Sequence, residues 1–367
     1  MHRARNISLV LCFLAILVAP SVASLAHYDP MGALDEKRAL AKKPADSLRS
    51  ANAHSRVPAL ALAWEKYFND NFGLRKLLIG SYRMAALYVL GTSPNPAVVV
   101  GKSDGAARWL YYDAALAKDG AGFAAFQGKK PYTATELATI AALLGQVTDI
   151  AHQHGKGAKL IIAICPDKQT VYPEYLPRDQ RPRPGAISRL DQFWAMASAL
   201  PSVPLLDLRI PLKQAKTDRL LYYPSDTHWN LRGEILAYQS VTRALAAQDP
   251  SRRWLPIERL GWTLGSPRVG DLTKLMGLPS WSGDVDWLPD FEGMVPLAGP
   301  KQGKLLVIAD SFFEALQPYF QLQFESVKWI RHETAAKRVG LVDPAWLDAE
   351  RPDVVILESV ERYWTED

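Results

Sequence analysis

Cysteine is almost missing from this chain: Cys12 and Cys165 are the two in 367 residues. That scarcity excludes a disulfide scaffold and a zinc framework built on thiolates. A strong charge of one sign is missing too, since 43 Lys+Arg stand against 38 Asp+Glu and leave +5. Without a local basic stripe, a surplus this small points away from nucleic acid as a partner. The polar, highly charged composition of a disordered chain is equally absent, because 48% of the residues are hydrophobic and 22% charged. What remains is a globular chain long enough for one large catalytic domain with additions, or two small ones. Its 11 Trp and 26 Pro suggest a rigid, loop-rich surface.

The first 26 residues read as an export signal. Arg3 and Arg5 form a short basic head, residues 7–19 carry no charge, and Ser21-Val22-Ala23 or Ser24-Leu25-Ala26 supplies small residues at the cleavage spacing. The uncharged core is about a dozen residues, short of the roughly 20 that span a bilayer. A cleaved signal peptide is favoured, with an uncleaved inner-membrane anchor as the alternative. Leu11 before Cys12 does not fit a lipidation signal. The expected location is outside the cytoplasm, where acetyl-CoA, ATP and NAD are not ordinarily supplied, so no cofactor is expected.

Residues 27–57 are rich in Ala, Lys, Ser and Arg without an apolar period and read as a flexible arm. Residues 58–90 carry Leu62, Tyr67, Phe68, Phe72, Leu77 and Tyr82 at helical spacing, which predicts two helices broken near Gly73. Val98-Val99-Val100 and Trp109-Leu110-Tyr111-Tyr112 flank a Gly/Asp-rich turn and predict a hairpin. Thr133-Ala134-Thr135-Glu136 is a capping box opening a helix to about Gly155. Beyond it, apolar runs at 159–165, 204–208, 304–309, 326–330 and 353–357 alternate with helical segments. That order predicts an α/β fold with a parallel sheet covered by helices on both faces, in one domain over 58–367.

In such sheets ligands bind beyond the carboxyl ends of the strands. Those ends carry Asp167 and Lys168, Asp207 and Arg209, Asp310 and Ser311, and Glu358. Ser311 follows the buried run Leu305-Leu306-Val307-Ile308-Ala309 and precedes a helix predicted over 312–321. A Ser at a strand-to-helix turn exposes its hydroxyl near N–H groups that stabilise an oxyanion; a plain helix N-cap is the simpler role for the same residue. A nucleophilic Ser requires a base, usually His oriented by an acid. Of seven His, His2 lies in the leader, His27 and His54 in the arm, and His152 and His154 at a helix end. His332 follows a strand. His228 alone has an acid two residues away, Asp226, and two-residue spacing in an extended segment puts both side chains on one side. A metal at Asp226 and His228 would need a third ligand, and no second His–carboxylate pair is apparent, so no metal is expected. For substrate, Trp281 and Trp287 offer ring faces to sugars, although buried anchors are the commoner role of Trp. Lys168, Tyr172 and Arg209 stand near strand ends where substrate carboxylates would sit; the two cations are equally able to pair with Asp207 or Glu174. Arg178, Arg181 and Arg183 lie in a Pro-punctuated loop that either meets an anionic polymer or is simply solvated.

Several ordered blocks carry a family resemblance from about Pro58 to the C-terminus. They are Tyr67-Phe68-Asn69-Asp70-Asn71-Phe72-Gly73-Leu74-Arg75, Val100-Gly101-Lys102, Pro166-Asp167-Lys168 with Tyr172-Pro173-Glu174-Tyr175-Leu176-Pro177, Asp226-Thr227-His228-Trp229, Gly270-Asp271-Leu272, Asp310-Ser311-Phe312 and Glu358-Ser359-Val360-Glu361-Arg362. The sequence resembles the periplasmic O-acetyltransferases of alginate and related exopolysaccharides, whose catalytic domain is SGNH-hydrolase-like. The resemblance implies Ser311 as nucleophile, His228 as base and Asp226 as its orienter, in a circularly permuted motif order. It also implies a polysaccharide substrate and a membrane-bound acyltransferase partner that donates the acetyl group. The chain departs from the family pattern in Ala309-Asp310-Ser311 for Gly-Asp-Ser and in a longer hairpin at Asp104-Gly105-Ala106-Ala107-Arg108-Trp109-Leu110. It stops soon after Arg362, which suggests the short form without a carbohydrate-binding module. Two other classes stay open: a polysaccharide acetylesterase with the same three residues, and a non-catalytic polysaccharide-binding subunit of an export complex.

Overall fold

The structure, a computed structural model, describes residues 2–29, 39–44, 53–104, 107–155, 157–255, 261–278, 284–290, 300–331 and 342–364. The chain divides into two compact units, residues 1–95 with 273–282, and residues 96–272 with 283–367. In the smaller unit the N-terminal segment forms one helix, His2–Leu25, with Pro20 inside it. Its segment Arg5–Leu25, at mean hydropathy 2.4, is the helix among the described residues long and apolar enough to cross a membrane. The helix continues through Pro20, beyond the uncharged core at 7–19. Helices Ala53–Asn71 and Arg75–Tyr88 follow, separated at Gly73 as expected. Arg83 Nη1 donates to the carbonyl of Gly277 at 3.2 Å and fastens the second helix to the later segment of this unit.

The larger unit is built on a five-stranded, wholly parallel sheet. Its strands are β3 (Lys159–Cys165), β4 (Leu205–Asp207), β7 (Lys304–Ala309), β8 (Ser326–Arg331) and β9 (Val354–Val360), in the order β4-β3-β9-β7-β8. Two antiparallel hairpins complete the β-structure: β1 (Val98–Asp104) with β2 (Ala107–Tyr112), and β5 (Trp262–Arg268) with β6 (Asp284–Pro289).

Period-two alternation divides the strand residues between two cores, which is why β3, β7 and the first part of β9, residues 354–357, read as apolar runs. Ile161, Ala163 and Cys165, with Leu305, Val307 and Ala309, face a core shared with helix Leu231–Gln248 through Ile235, Tyr238, Val241 and Leu245. Leu160, Ile162 and Ile164, with Leu306 and Ile308, face the other core, covered by helices Ala134–His154, Arg189–Ala197 and Pro344–Glu350. The Thr133 capping box expected from sequence is formed, with Glu136 as its reciprocal partner.

Two elements differ from the sequence reading. β9 runs to Val360 rather than 357, so Glu358 lies inside a strand, fully buried, paired in register with Ala163 instead of standing on the rim. After β7 the chain makes a turn and a 3-10 segment, Glu314–Leu316, before helix Gln317–Gln323, so the helix expected from 312 starts later.

Candidate active site

Ser311 follows β7 directly, in a turn organised by its neighbour. The buried Asp310 carboxylate accepts the N–H of Phe312 through Oδ1 at 2.9 Å and the N–H of Val360 through Oδ2 at 2.8 Å. It thereby ties the turn to the end of β9. The Ser311 N–H has no acceptor among the described residues.

His228 sits in a narrow loop closed by an antiparallel bridge between Tyr222 and Trp229. Asn230 ends the loop and caps helix Leu231–Gln248 by accepting the N–H groups of Arg232 and Gly233. A Cβ on Gly233 would lie 2.4 Å from the Leu221 carbonyl, so only glycine lets the helix start so near the loop. Asp226 and His228 share one side because of a turn, rather than the extended segment expected. Asp226 Oδ1 accepts the backbone N–H of His228 at 3.0 Å, an Asx-turn, and lies 2.7 Å from its Nδ1. On the other side of the ring, His228 Nε2 is 2.8 Å from Ser311 Oγ. Trp229 Nε1 donates to the Phe312 carbonyl at 2.8 Å, which pins the histidine loop to the serine turn.

The second oxygen of Asp226 is also engaged, accepting from Arg268 Nη2 at 3.2 Å and from the Asp271 N–H at 3.0 Å. Burial opposes ionisation of Asp226, but the hydrogen bonds and charge of His228, with Arg268 behind, outweigh it and hold the carboxyl below the usual range. Asp271 lies close by, 3.6 Å from His228 Nδ1, and accepts from the Thr227 N–H at 2.7 Å and from the Thr227 hydroxyl. Burial, then the Asp226 charge, raises its pKa. Asp226, His228 and Asp271 thus bring one potential ligand atom each within 4.8 Å of one another, the third ligand that sequence reading did not find. Their atoms are engaged by Arg268, backbone N–H groups, the Thr227 hydroxyl and Ser311, and a cation would have to displace these donors.

Lys168 expands this set in a way the sequence did not reveal. Its ammonium, buried, donates to the carbonyls of Tyr223, Pro224 and Asp226 at 3.0, 3.0 and 2.6 Å. It lies over the rings of Trp109 and Tyr111. Burial pulls its pKa down to about 8 against the pull of Asp271, Asp226 and Asp284. Expected at substrate, Lys168 instead clamps the loop that carries Asp226.

The other expected substrate residues fall elsewhere. Tyr172 is buried, its hydroxyl accepting the Leu221 N–H at 3.0 Å and its ring packed on Trp109. Arg209 is held by Asp207 and Asp191, both at 2.8 Å. It follows β4, and β4 and β7 stand three positions apart in the sheet order. At about 4.8 Å per strand that is roughly 14 Å, too far to join Ser311. Trp287 is on the exposed side of β6, with the Arg232 guanidinium 4.6 Å from its ring. Trp281 and the rival His332 lie outside the described residues. Arg181 is bonded to the carbonyls of Leu176 and Glu174, while Arg178, Arg181 and Arg183 line a separate cavity.

Ser311 and His228 open on a cavity of about 450 Å³ lined also by Tyr223, Trp229, Leu231, Glu234, Arg268, Asp286, Glu314 and Ala315. The β5–β6 hairpin supplies Arg268 and Asp286. It also holds the histidine loop, through Asp284 accepting the Ser225 N–H at 3.0 Å and its hydroxyl at 2.6 Å. A hydroxyl in line with an imidazole and a carboxylate, beside an open cleft, is suited to acyl transfer through a serine ester.

Comparison with known proteins gives this arrangement a setting. Residues 103–306 match the sequence profile of a family described as SGNH hydrolase-like domain, acetyltransferase AlgX. The chain is similar to the probable alginate O-acetylase AlgJ of Pseudomonas putida, 31% identical over 229 residues, or 60% of this chain and 52% of that protein. It is similar also to the probable alginate O-acetylase AlgJ of Pseudomonas syringae pv. tomato, 30% identical over 254 residues, or 68% and 59%. The chain therefore spans only a little over half the length of these curated relatives. Among solved structures it is similar to the O-acetyltransferase domain of Pseudomonas putida AlgJ, with a TM-score of 0.51 and 24% identity over 74% of this chain and 93% of that one. The parallel sheet flanked by helices is an SGNH hydrolase-like fold.

Proposed function

The chain belongs to the family of AlgX-type SGNH hydrolase-like acetyltransferase domains, and on that footing we propose that it is a periplasmic O-acetyltransferase that modifies hydroxyls of an exopolysaccharide, alginate or a similar polymer, through an acetyl ester on Ser311. The observation that carries the proposal is the run of contacts from Ser311 Oγ to His228 Nε2 at 2.8 Å and from His228 Nδ1 to Asp226 at 2.7 Å. The names of the curated relatives support alginate as the polymer. The apolar helix at the N-terminus fits an export signal or an inner-membrane anchor.

In this reading His228 Nε2 takes the Ser311 proton as Oγ attacks the acetyl carbonyl of the donor. The Ser311 N–H, which has no acceptor among the described residues, is placed to donate to the oxyanion. Collapse of the intermediate breaks the bond to the leaving group, which receives the proton from His228, and leaves Ser311 acetylated. A sugar hydroxyl then gives its proton to His228 and attacks the ester; the acetylated sugar departs and Ser311 is regenerated. Asp226 keeps the imidazole in the tautomer that presents a bare Nε2 and balances its positive charge during both steps. Outside the cytoplasm the acetyl group comes from a membrane-bound acyltransferase partner rather than from a soluble thioester. Transfer in place of hydrolysis requires that bound sugar exclude water from the cleft.

Incubation with a chromogenic acetyl ester, with and without oligosaccharide acceptors, tests the proposal. Acetylated sugar in the mass spectrum is the expected outcome. Acetate release with no acetylated sugar identifies an esterase, and neither product identifies a non-catalytic subunit.

A further inference from the structure

A second cavity, of about 240 Å³, lies along helix Leu231–Gln248 and is lined by Arg219, Arg232, Gln239, Arg243 and Trp262 among others. Arg232, Leu236, Gln239 and Arg243 stand at i, i+4, i+7 and i+11, one stripe of the helix. Among the described residues no carboxylate pairs with any of the three arginines. Arg209, Arg252, Arg268 and Arg362, by contrast, each hold an acidic partner. Burial and the charge of Arg219 disfavour the protonated form of Arg232, with the Asp286 charge acting in the opposite sense. The Arg232 guanidinium is nonetheless fixed, 4.6 Å from the Trp287 ring and 5.7 Å from that of Trp262. Stacking on its face leaves the edge N–H groups for a planar, bidentate acceptor, the geometry of a carboxylate.

The two cavities share a wall. Leu231 and Glu234 line the Ser311 cleft, while Arg232 and Ile235, from the same first turns of the helix, line the arginine cleft. We infer that the arginine cleft is a subsite for the carboxylates of an acidic polysaccharide, a chain of uronic acid residues, which crosses from it to Ser311. Trp287 and Trp262 give ring faces for the sugars, and the arginines fix the register in which a hydroxyl meets Ser311. This rests on the transferase reading and deepens it: the acceptor is a polyanion, and a neutral glucan is a poor one.

Titration calorimetry of the full chain at low salt, with an oligouronate and with a neutral cello-oligosaccharide of the same length, tests the inference. The oligouronate is expected to bind, and the neutral chain to bind much more weakly. Added salt should weaken the first, because exposed pairs are screened over about 10 Å at 0.1 M. The triple variant R219Q/R232Q/R243Q is expected to lose about tenfold or more in oligouronate affinity, since charge-assisted pairs are the strong ones. R219Q alone, at the exposed edge of the cleft, should show a smaller loss in the same direction with an unchanged melting temperature. The inference is overturned by equal affinity for both sugars, by unaltered binding in the triple variant, by no oligouronate binding at all, or by loss of binding in R178Q/R183Q instead. Binding is read apart from turnover. Ser311→Ala should bind oligouronate as wild type does, and full acetyl-ester turnover in that variant would defeat the catalytic reading while leaving the subsite standing.

Discussion

The carboxylate of Asp226 serves four donors: the N–H and Nδ1 of His228 on one oxygen, Arg268 and the Asp271 N–H on the other. Asp226→Asn keeps the shape but removes the charge that balances an imidazolium, and it offers an amide N–H where an acceptor is needed. Turnover of an acetyl ester should fall by about 10³-fold or more. Lys168 acts on the same loop from beneath. Its ammonium loses its proton near pH 8, and the neutral amine has one donor fewer for three carbonyls. Activity should therefore decline through about pH 8, and in Lys168→Met it should be low and no longer fall across that window. Stability moves the other way. The folded pKa lies below the ordinary 10.5, so the unfolded chain binds more protons between the two values, and this group's contribution rises with pH there. Ser311, His228 and Asp226 were legible in the sequence because each sits in a local pattern, a strand-end Ser and an acid two residues from a His. Lys168, Arg268 and Asp271 reach the Asp226 segment across 58, 42 and 45 residues, and nothing in their own neighbourhoods signals it.

Two short connections, the turn after β7 and the loop before helix Leu231–Gln248, bring the reactive groups together. Asp310 holds the first by two buried backbone N–H groups. Its replacement by Ala strands both, at about 1–3 kcal/mol each, and urea unfolding should register a loss of roughly 2–6 kcal/mol. The Trp229 indole joins the two connections, and Trp229→Phe should lose about 1 kcal/mol of stability. Its kcat for an acetyl ester should fall further than that loss suggests, since Ser311 and His228 are no longer pinned to each other. The strand cores and the capped helix at Thr133 follow from apolar runs and a box of two side chains, so the sequence carries them plainly. The end of β9 does not, because Glu358 interrupts the apolar run. It is register with β3, and acceptance of the Asp310 N–H by Glu358 at 3.1 Å, that keeps this acid in the strand.

Buried acids make the whole molecule sensitive to pH. Burial pushes Glu234 and Glu358 well above the usual carboxyl range, and burial with the Asp167 charge takes Glu361 to about 8. A carboxyl raised on folding contributes stability in full below its unfolded value near 4.5, and loses it as pH rises through the folded value. The melting temperature should fall between about pH 5 and 8, and Glu361→Gln should flatten that slope; differential scanning calorimetry across the range checks both. Strand order also sets which strand ends meet, which the sequence does not state. Arg209 and Ser311 both follow strands, yet β4 is an edge strand and β7 lies three places away, so only Ser311 reaches His228.

In the proposed reaction Ser311 carries the acetyl group between donor and sugar. Mass spectrometry of the intact chain and its peptides, after brief exposure to an activated acetyl ester and an acid quench, tests it directly. One added acetyl group is expected on the peptide containing Ser311, formed slowly in His228→Ala, absent in Ser311→Ala, and discharged by an acceptor oligosaccharide. An acetyl group on another residue, or turnover in Ser311→Ala equal to wild type, would contradict it.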